Sequence, residues 1–510
     1  MTAADPIVSA ATPPSTLPTE PTRWTLWSDR LNPILVREVL QSVKGRVFAL
    51  TVFVALLVSV VIAVVTVNAY EPRGDAGRMA FNAGIATLMP LLIFVVPMQA
   101  YQSMRLELRG GIVEQLLLSR LVPRRILWGK LQAALVQFVL YVAVLAPLLA
   151  TSYLLRGVDL PTILVSLLFA LCACVAATAF AVSSAAQGVL PAMQPLANLA
   201  TAAGLGLASF AFVGFAGSGA YTYSVGWLVR SNECTLTIVG IALATAAAVV
   251  LSLLVAQSFL LHAFENKSTG FRVFLFALPV VAFGWVLAFM PRSSHDEFLA
   301  VFGMSLLVVG IVFGQFMVTE QRELSPRLRA HVPKSRLASL VAAPFLPGRD
   351  RGMACLVLYL AWLGGLVAVL WPGTSSRWIG ELLRSAGLCV PYAIVYLGLG
   401  RWLRGFLPSS VAGNHVARVL LPLAVVVFMI LPALVDLMLR GDVRGWHVGH
   451  VMNPFWTIDV HNRAEAWSSV LPWAIGVSIG GLLLQVPAMV RGQAEVAAAA
   501  AVRRERARTA

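Results

Sequence analysis

The sequence predicts an all-α membrane protein with about twelve transmembrane helices, and three observations support this prediction. The chain has 510 residues, of which 59% are hydrophobic and 12% are charged, and its mean hydropathy is +0.82. Soluble domains carry about 25% charged residues, so soluble cores cannot hide this much apolar surface. The apolar residues form runs long enough to cross a bilayer, and the basic residues collect in alternate loops.

Each predicted span is an apolar run close to the length that a transmembrane helix needs. A helix requires about 20 apolar residues to cross about 30 Å of hydrocarbon. Twelve runs meet this requirement: Val47–Ala69, Ala80–Gln99, Leu131–Leu155, Pro161–Ser184, Val189–Phe215, Leu236–Leu261, Phe274–Met290, Phe298–Val318, Met353–Trp371, Ile379–Gly400, Val416–Leu439 and Val470–Val490. The second and eighth runs both lead into basic segments, which suggests two six-helix halves, residues 47–263 and 264–490.

The positions of the basic residues predict the orientation. Of the 38 Lys and Arg residues, 28 fall in the segments on one side of the twelve spans and nine on the other side. Cytoplasmic loops carry an excess of Lys and Arg, so we expect both termini in the cytoplasm and the protein in the cytoplasmic (inner) membrane. The net charge of +15 comes from these loops, and no nucleic-acid partner is expected.

The segments at the two ends of the chain have biased compositions. Residues 1–29 are rich in Pro, Thr, Ser and Ala, which predicts a disordered cytoplasmic tail. Residues 491–510 are interpreted as a basic cytoplasmic tail. The five cysteines contain no CxxC pair, and an intramolecular disulfide framework is not expected.

Residues 30–46 predict an amphipathic helix at the membrane interface. Asn32 can cap this helix and Pro33 suits its first position. Apolar residues recur on one face at helical spacing, and charged residues occupy the remainder, which is typical of an interfacial helix. The charged candidates are Arg37, Glu38 and Lys44. A simple lipid anchor for the first span is the alternative interpretation.

A second short helix is predicted between the second and third spans. Gly110 and Gly111 end the preceding helix, Ile112–Leu121 can form the short helix, and Pro123 stops it or begins the next one. With Glu114 and Gln115 exposed, this segment is suited to dock against a soluble partner. An ordinary basic loop is the alternative interpretation.

Two segments carry a resemblance to a known family. The strings LVREVLQSVKGR before the first span and VEQLLLSRLVPRRILWGKL before the third resemble the permease subunit of a type-2 ABC exporter. The resemblance implies that the second string contacts a separate ATP-binding subunit through Glu114, Gln115, Leu116, Leu117, Leu118 and Ser119, with Pro123 in the turn that follows. It also implies a dimeric ATP-binding partner, and leaves room for a second permease chain. The stretch Arg109–Gly111 departs from the family, which often has an acidic residue before Gly-Thr.

The sequence lacks the signatures of an enzyme. No GxxxxGK[ST] phosphate loop occurs, so any ATP is expected on a partner chain and no cofactor on this one. Two ionisable residues in the later spans, Arg384 and Asp436, predict an ion pair inside the membrane. Three histidines and an aspartate share the last external loop, at spacings that could bind zinc. Tryptophans lie close to them, which favours an interfacial role, so no metal site is predicted; the four are His447, His450, Asp459 and His461.

Two other functions remain open from the sequence. A twelve-span carrier driven by an ion gradient fits the architecture, although its spans contain few carboxylates. An accessory or assembly protein without transport activity also fits, particularly for the second half. The 319–352 segment of that half has no Glu-Leu-Leu helix, and its basic residues are suited to lipid headgroups.

Overall fold

The computed structural model describes residues 32–69, 76–118, 122–155, 157–187, 194–261, 265–290, 292, 295–321, 323–370, 377–408, 411–440, 448–453, 456–458 and 467–509. These residues form helices and connecting turns and contain no strand. Twelve of the described helices are long and apolar enough to cross a membrane. The prediction of an all-α protein with about twelve spans is therefore confirmed.

The first half contains helices α1 to α10. Two of them, α3 and α4, are joined by a π-helical turn at Leu91–Val95 and form one span. The bounds are α1 Pro33–Val43, α2 Arg46–Ala69, α3 Ala76–Pro90, α4 Val96–Arg109, α5 Ile112–Leu118, α6 Pro123–Leu154, α7 Leu160–Ala186, α8 Gln194–Gly217, α9 Ala220–Arg230 and α10 Cys234–Leu260.

The second half contains helices α11 to α18, with two short 3₁₀ turns at Ala343–Phe345 and Val448–Met452. The bounds are α11 Thr269–Phe289, α12 His295–Val318, α13 Pro326–Arg329, α14 Arg336–Ala342, α15 Arg349–Leu370, α16 Arg377–Phe406, α17 Val411–Arg440 and α18 Trp467–Thr509.

The helices of the two halves pack in a similar order. In the first half the second span, α3–α4, packs on α2, α6 and α7, and α7 packs on the sixth span, α10. In the second half the second span, α12, packs on α11, α15 and α16, and α16 packs on α18. The fifth spans differ, because α8 packs on the second span of its half whereas α17 packs on the fourth. A repeated six-helix unit would produce this shared order, and the division into two six-helix halves stays a prediction.

The first span shows how the lipid environment shapes the surface. Leu50, Phe53 and Val60 of α2 are all exposed. A soluble helix would be destabilised by such exposure, whereas in a bilayer these side chains contact lipid tails. The two halves meet where α10 packs on α11, and Leu251 and Val255 of α10 belong to the core of the second half.

The last helix extends well past the predicted twelfth span. Residues 491–509, which their charges marked as a basic tail, continue α18. Alanine favours helix more than any other residue, and residues 497–501 are five consecutive alanines. Val496 and Ala500 pack against Leu324, Val332 and Ala343, so this part of α18 holds the segment that follows the eighth span.

Candidate functional site: charged junctions on one face

One face of the helix bundle carries most of the charged contacts. This basic face comprises α1, α5 and the 319–348 segment, together with the helix ends nearest to them. Its helix ends include those of the second and eighth spans and the starts of the third and ninth. The interfacial helix and the docking segment predicted from the sequence both lie here.

Helix α1 is held to this face by its cap. The Asn32 side chain accepts a hydrogen bond from the Ile34 N–H at 3.2 Å, and its amide nitrogen donates to the Arg125 carbonyl oxygen at 3.1 Å. Pro33 is the first residue of the helix, as predicted, and Lys44 is its exposed C-cap. The cap residue therefore both begins α1 and ties it to the start of α6.

The charged side of α1 packs on the bundle. Ile34 and Glu38 are buried, whereas Leu40, Val43 and the following Val47 are exposed. The apolar stripe that the sequence indicated thus faces away from the protein, where an interfacial helix contacts lipid. This orientation brings the charges of α1 to the ends of α4 and α6.

Five side chains form what we call the Lys130 junction: Arg37, Glu38, Ser103, Glu107 and Lys130. The fully buried Lys130 Nζ donates to Glu38 Oε1 at 2.8 Å and to Ser103 Oγ at 2.8 Å. It also lies 3.0 Å from Glu107 Oε2, while Arg37 pairs with both carboxylates. The junction links α1, the second span and the third span, and its two cations balance its two carboxylates.

Gly129 brings α1 close to α6. A Cβ atom at this position would lie 2.9 Å from the Cβ and Cγ2 atoms of Ile34, closer than carbon atoms pack without displacement. The absence of a side chain at Gly129 therefore allows Lys130, the next residue, to reach Glu38.

A cavity of about 510 Å³ adjoins the Lys130 junction. The junction's own side chains form one wall, and the amides of Gln99 and Gln137 line it as well. Gln137 is 5% exposed, and its Oε1 atom has no hydrogen-bond partner among the described residues. The cavity thus leaves space beside the ends of α1, α4 and α6 into which side chains can move.

Helix α5 carries the residues predicted to contact an ATP-binding subunit. Val113 is buried against the ends of α4 and α6, while Glu114, Gln115 and Leu118 are exposed, Leu118 by 84%. Leu116 and Leu117 lie within α5, but their side chains and the whole of Ser119 are outside the described residues. Pro123 is the first residue of α6. The docking role of these residues stays a prediction.

The second half has a corresponding cluster, which we call the Arg272 junction: Arg272, Glu320, Pro344, Leu346 and Gly348. The fully buried Arg272 guanidinium pairs with Glu320 Oε2 at 2.7 Å. It also donates to the carbonyl oxygens of Pro344 at 2.8 Å, Leu346 at 2.6 Å and Gly348 at 3.4 Å. Glu320 in turn accepts from the Gly348 N–H at 2.8 Å. A single guanidinium thus fixes the turn that enters α15.

A second ion pair ties α18 to the same turn. Arg351 Nη1 lies 2.6 Å from Glu495 Oε2, and Glu495 Oε1 accepts from the Leu324 N–H at 3.0 Å. Arg329 Nη2 lies 3.4 Å from the same Oε1 atom, so two arginines and a backbone N–H surround the Glu495 carboxylate. The segment 324–351 is therefore fixed by Arg272 of α11 and by Glu495 of α18.

Asp436, one member of the ion pair predicted in the later spans, lies next to a histidine. The Asp436 carboxylate lies 2.7 Å from His450 Nε2, and the His450 ring stacks on Trp456 at a centroid distance of 4.1 Å. A contact between Asp436 and Arg384 stays a prediction. His447, Asp459 and His461 lie outside the described residues. The described member of the histidine group thus lies beside a carboxylate and stacks on an aromatic ring.

Sequence reasoning missed both junctions. Of the residues in the two junctions, only Arg37 and Glu38 are predicted from the sequence, as charged residues of the interfacial helix. The available signal was that opposite charges occur at the ends of consecutive spans that must lie side by side. No family model, curated protein or solved structure matches the chain.

Proposed function

We propose that this protein is the membrane-spanning permease subunit of an ATP-driven ABC exporter, with ATP hydrolysed by a separate dimeric subunit. The observation that carries this proposal is the position of α5. It presents Glu114, Gln115 and Leu118 outward from the basic face while Val113 anchors it to the membrane helices. An exposed leucine beside a carboxylate and an amide is suited to a protein contact.

The Lys130 junction supplies a path from such a contact to the spans. Helix α5 packs on α4, and Glu107 of α4 pairs with Lys130 of α6. Glu38 adds α1 to the same cluster. A displacement of α5 would therefore reach the second and third spans together and open a path between them.

Affinity purification of the tagged full chain from its native membrane tests the proposal. We expect an ATP-binding subunit to copurify with the wild type. The double variant Glu114→Arg, Leu118→Asp changes two exposed positions and should lose that subunit. Leu337→Asp is the matched control, because Leu337 is also on the basic face and 79% exposed.

The result distinguishes the three candidate functions: an exporter permease, an ion-driven carrier and an accessory protein. Loss in the double variant with retention in the control supports the permease and places the contact on α5. If no ATP-binding subunit copurifies with the folded wild type, the exporter proposal fails. A carrier driven by an ion gradient would then show uptake that depends on the gradient, and an accessory protein would show none.

A further inference from the structure

A second cavity lies where the two halves of the protein meet, and we call it the seam cavity. Its volume is about 350 Å³. The end of α7 contributes Gln187, the end of α10 contributes Phe259, and the start of α17 contributes Asn414 and Arg418. Most of the other lining residues lie between α10 and α11, between α12 and α13, within α13 and just before α15. The cavity opens on the basic face, at the level where the spans end.

Arg418 is a buried cation in this wall. It is 9% exposed, and its guanidinium lies 4.7 Å and 5.2 Å from the ring centroids of Phe259 and Phe316. Its Nε donates to Thr319 Oγ1 at 2.9 Å, but its Nη1 has no hydrogen-bond partner among the described residues. No described carboxylate lies within 4 Å of the guanidinium. Because a buried unpaired charge is costly, Arg418 is suited to meet an anion supplied by a ligand.

The other charges of the seam cavity restrict that ligand. Lys267 is half-buried in the wall, and burial lowers its pKa, opposed by Glu320 and Glu265 and assisted by Arg418. Of the three carboxylates in the wall, Glu320 is bonded to Arg272 and Gly348. Glu265 and Glu323 remain, so two cations and two carboxylates face the cavity outside the Arg272 junction.

This arrangement favours a ligand with both signs of charge. An inorganic phosphate or an anionic headgroup would satisfy Arg418 and Lys267 but would meet two uncompensated carboxylates. A volume of about 350 Å³ admits a small polar group, and the ends of the spans lie where lipid headgroups lie. Arginine and lysine bind phosphate oxygens, and carboxylates accept hydrogen bonds from a primary ammonium.

We propose that the seam cavity binds a phosphodiester headgroup that carries a primary ammonium, with the phosphate at Arg418 and Lys267 and the ammonium at Glu265 and Glu323. The headgroup can belong to a bilayer lipid or to a soluble phosphodiester. The site is independent of the exporter proposal, since it needs neither ATP nor a partner subunit. Its four proposed contacts all lie in the second half, on α17 and in the turns before α11 and after α12, and the first half contributes Gln187 and Phe259 to the wall.

Binding measurements on the full chain in detergent test this proposal. The probes are phosphatidylethanolamine, phosphatidylglycerol and soluble glycerophosphoethanolamine, with native mass spectrometry as the readout. We expect phosphatidylethanolamine to bind about tenfold more tightly than phosphatidylglycerol, as the gain of one charge-assisted contact allows. Displacement of the lipid by glycerophosphoethanolamine would identify a soluble source, and failure to displace it would identify the bilayer.

Four variants test whether lipid binding depends on the residues of the seam cavity in particular or on the charge of the protein in general. Arg418→Gln and Lys267→Gln should each weaken phosphatidylethanolamine binding about tenfold. Glu265→Gln with Glu323→Gln should remove the preference over phosphatidylglycerol. Arg105→Gln is the matched control, because Arg105 is 6% exposed and also has an unpartnered nitrogen, Nη2, but does not line the seam cavity.

Lys267 keeps the proposal testable if Arg418→Gln fails to fold, since Lys267 lies in a connecting turn between α10 and α11. Unchanged binding in Lys267→Gln would overturn the proposal. Equal affinity of the wild type for the two lipids, or an equal loss in Arg105→Gln, would overturn it as well.

Discussion

The Lys130 and Arg272 junctions occupy corresponding places in the two halves but are built differently. In each, a fully buried base pairs with a carboxylate at the end of a second span. Lys130 lies at the start of the third span, whereas Arg272 lies at the start of the first span of its half, α11, and reaches the turn before the third. In the first half every contact of Lys130 is to another side chain. In the second half Arg272 also donates to three backbone carbonyls.

This difference separates a junction that can move from one that is fixed. Side chains can exchange partners within the cavity of about 510 Å³ beside Lys130 without breaking the backbone structure. The backbone of residues 344–348 cannot leave Arg272 without exposing three unpaired carbonyls, each of which is costly when buried. We infer that conformational change in this protein involves the first half more than the turn that enters α15.

The largest expected effect is from Arg272→Met. The variant leaves Glu320 and three carbonyl oxygens without their donor, and removal of one partner from a buried ion pair costs about 3–5 kcal/mol. We expect a marked fall in the midpoint of thermal unfolding of the purified protein. Arg230→Met is the control, since the Arg230–Asp159 pair is largely exposed and should contribute little.

In the same experiment, Arg272→Lys distinguishes the contribution of the ion pair with Glu320 from that of the hydrogen bonds to the backbone carbonyls. A lysine can keep the pair with Glu320 but does not present the planar guanidinium that serves several acceptors at once. An intermediate loss of stability is expected. If Arg272→Lys is as stable as the wild type, the carbonyl contacts do not distinguish the two junctions.

A smaller effect is expected from Lys130→Met. Glu38 and Glu107 lose their shared partner, but Arg37 still pairs with both, so the expected loss is about 3 kcal/mol, near the lower end for a buried pair. The double variant Lys130→Met, Glu38→Met should recover part of it, because apolar replacement of a buried pair is often neutral. Thermal unfolding measures both; a double variant less stable than Lys130→Met would contradict a side-chain-only junction.

The sequence predicted what depends on local composition. Hydropathy and bilayer thickness determine the twelve spans, and Asn32 and Pro33 identify the start of α1 because capping acts within a few residues. The junctions depend on partners distant in sequence, such as Lys130 and Glu38, which are 92 residues apart. Single charges near helix ends do not reveal which of several opposite charges they will meet. The continuation of α18 follows from the helix propensity of the alanines at 497–501, which the net charge of the segment does not reveal.

The smallest expected effect concerns one glycine next to each junction. Gly129 precedes Lys130, whereas Gly352 donates its N–H to the Gly348 carbonyl oxygen of the Arg272 junction at 2.7 Å. A Cβ at Gly352 would press on the Met317 backbone at the end of α12. Gly352→Ala should therefore cost about 1–3 kcal/mol, as overpacking usually does. Gly364→Ala is the control within the same helix, since no described atom lies within 4 Å of a Cβ there.

Because the fixed junction cannot shift to relieve the contact whereas α1 can move from α6, Gly129→Ala should cost less than Gly352→Ala. Equal losses in thermal unfolding would show that the two junctions are equally rigid.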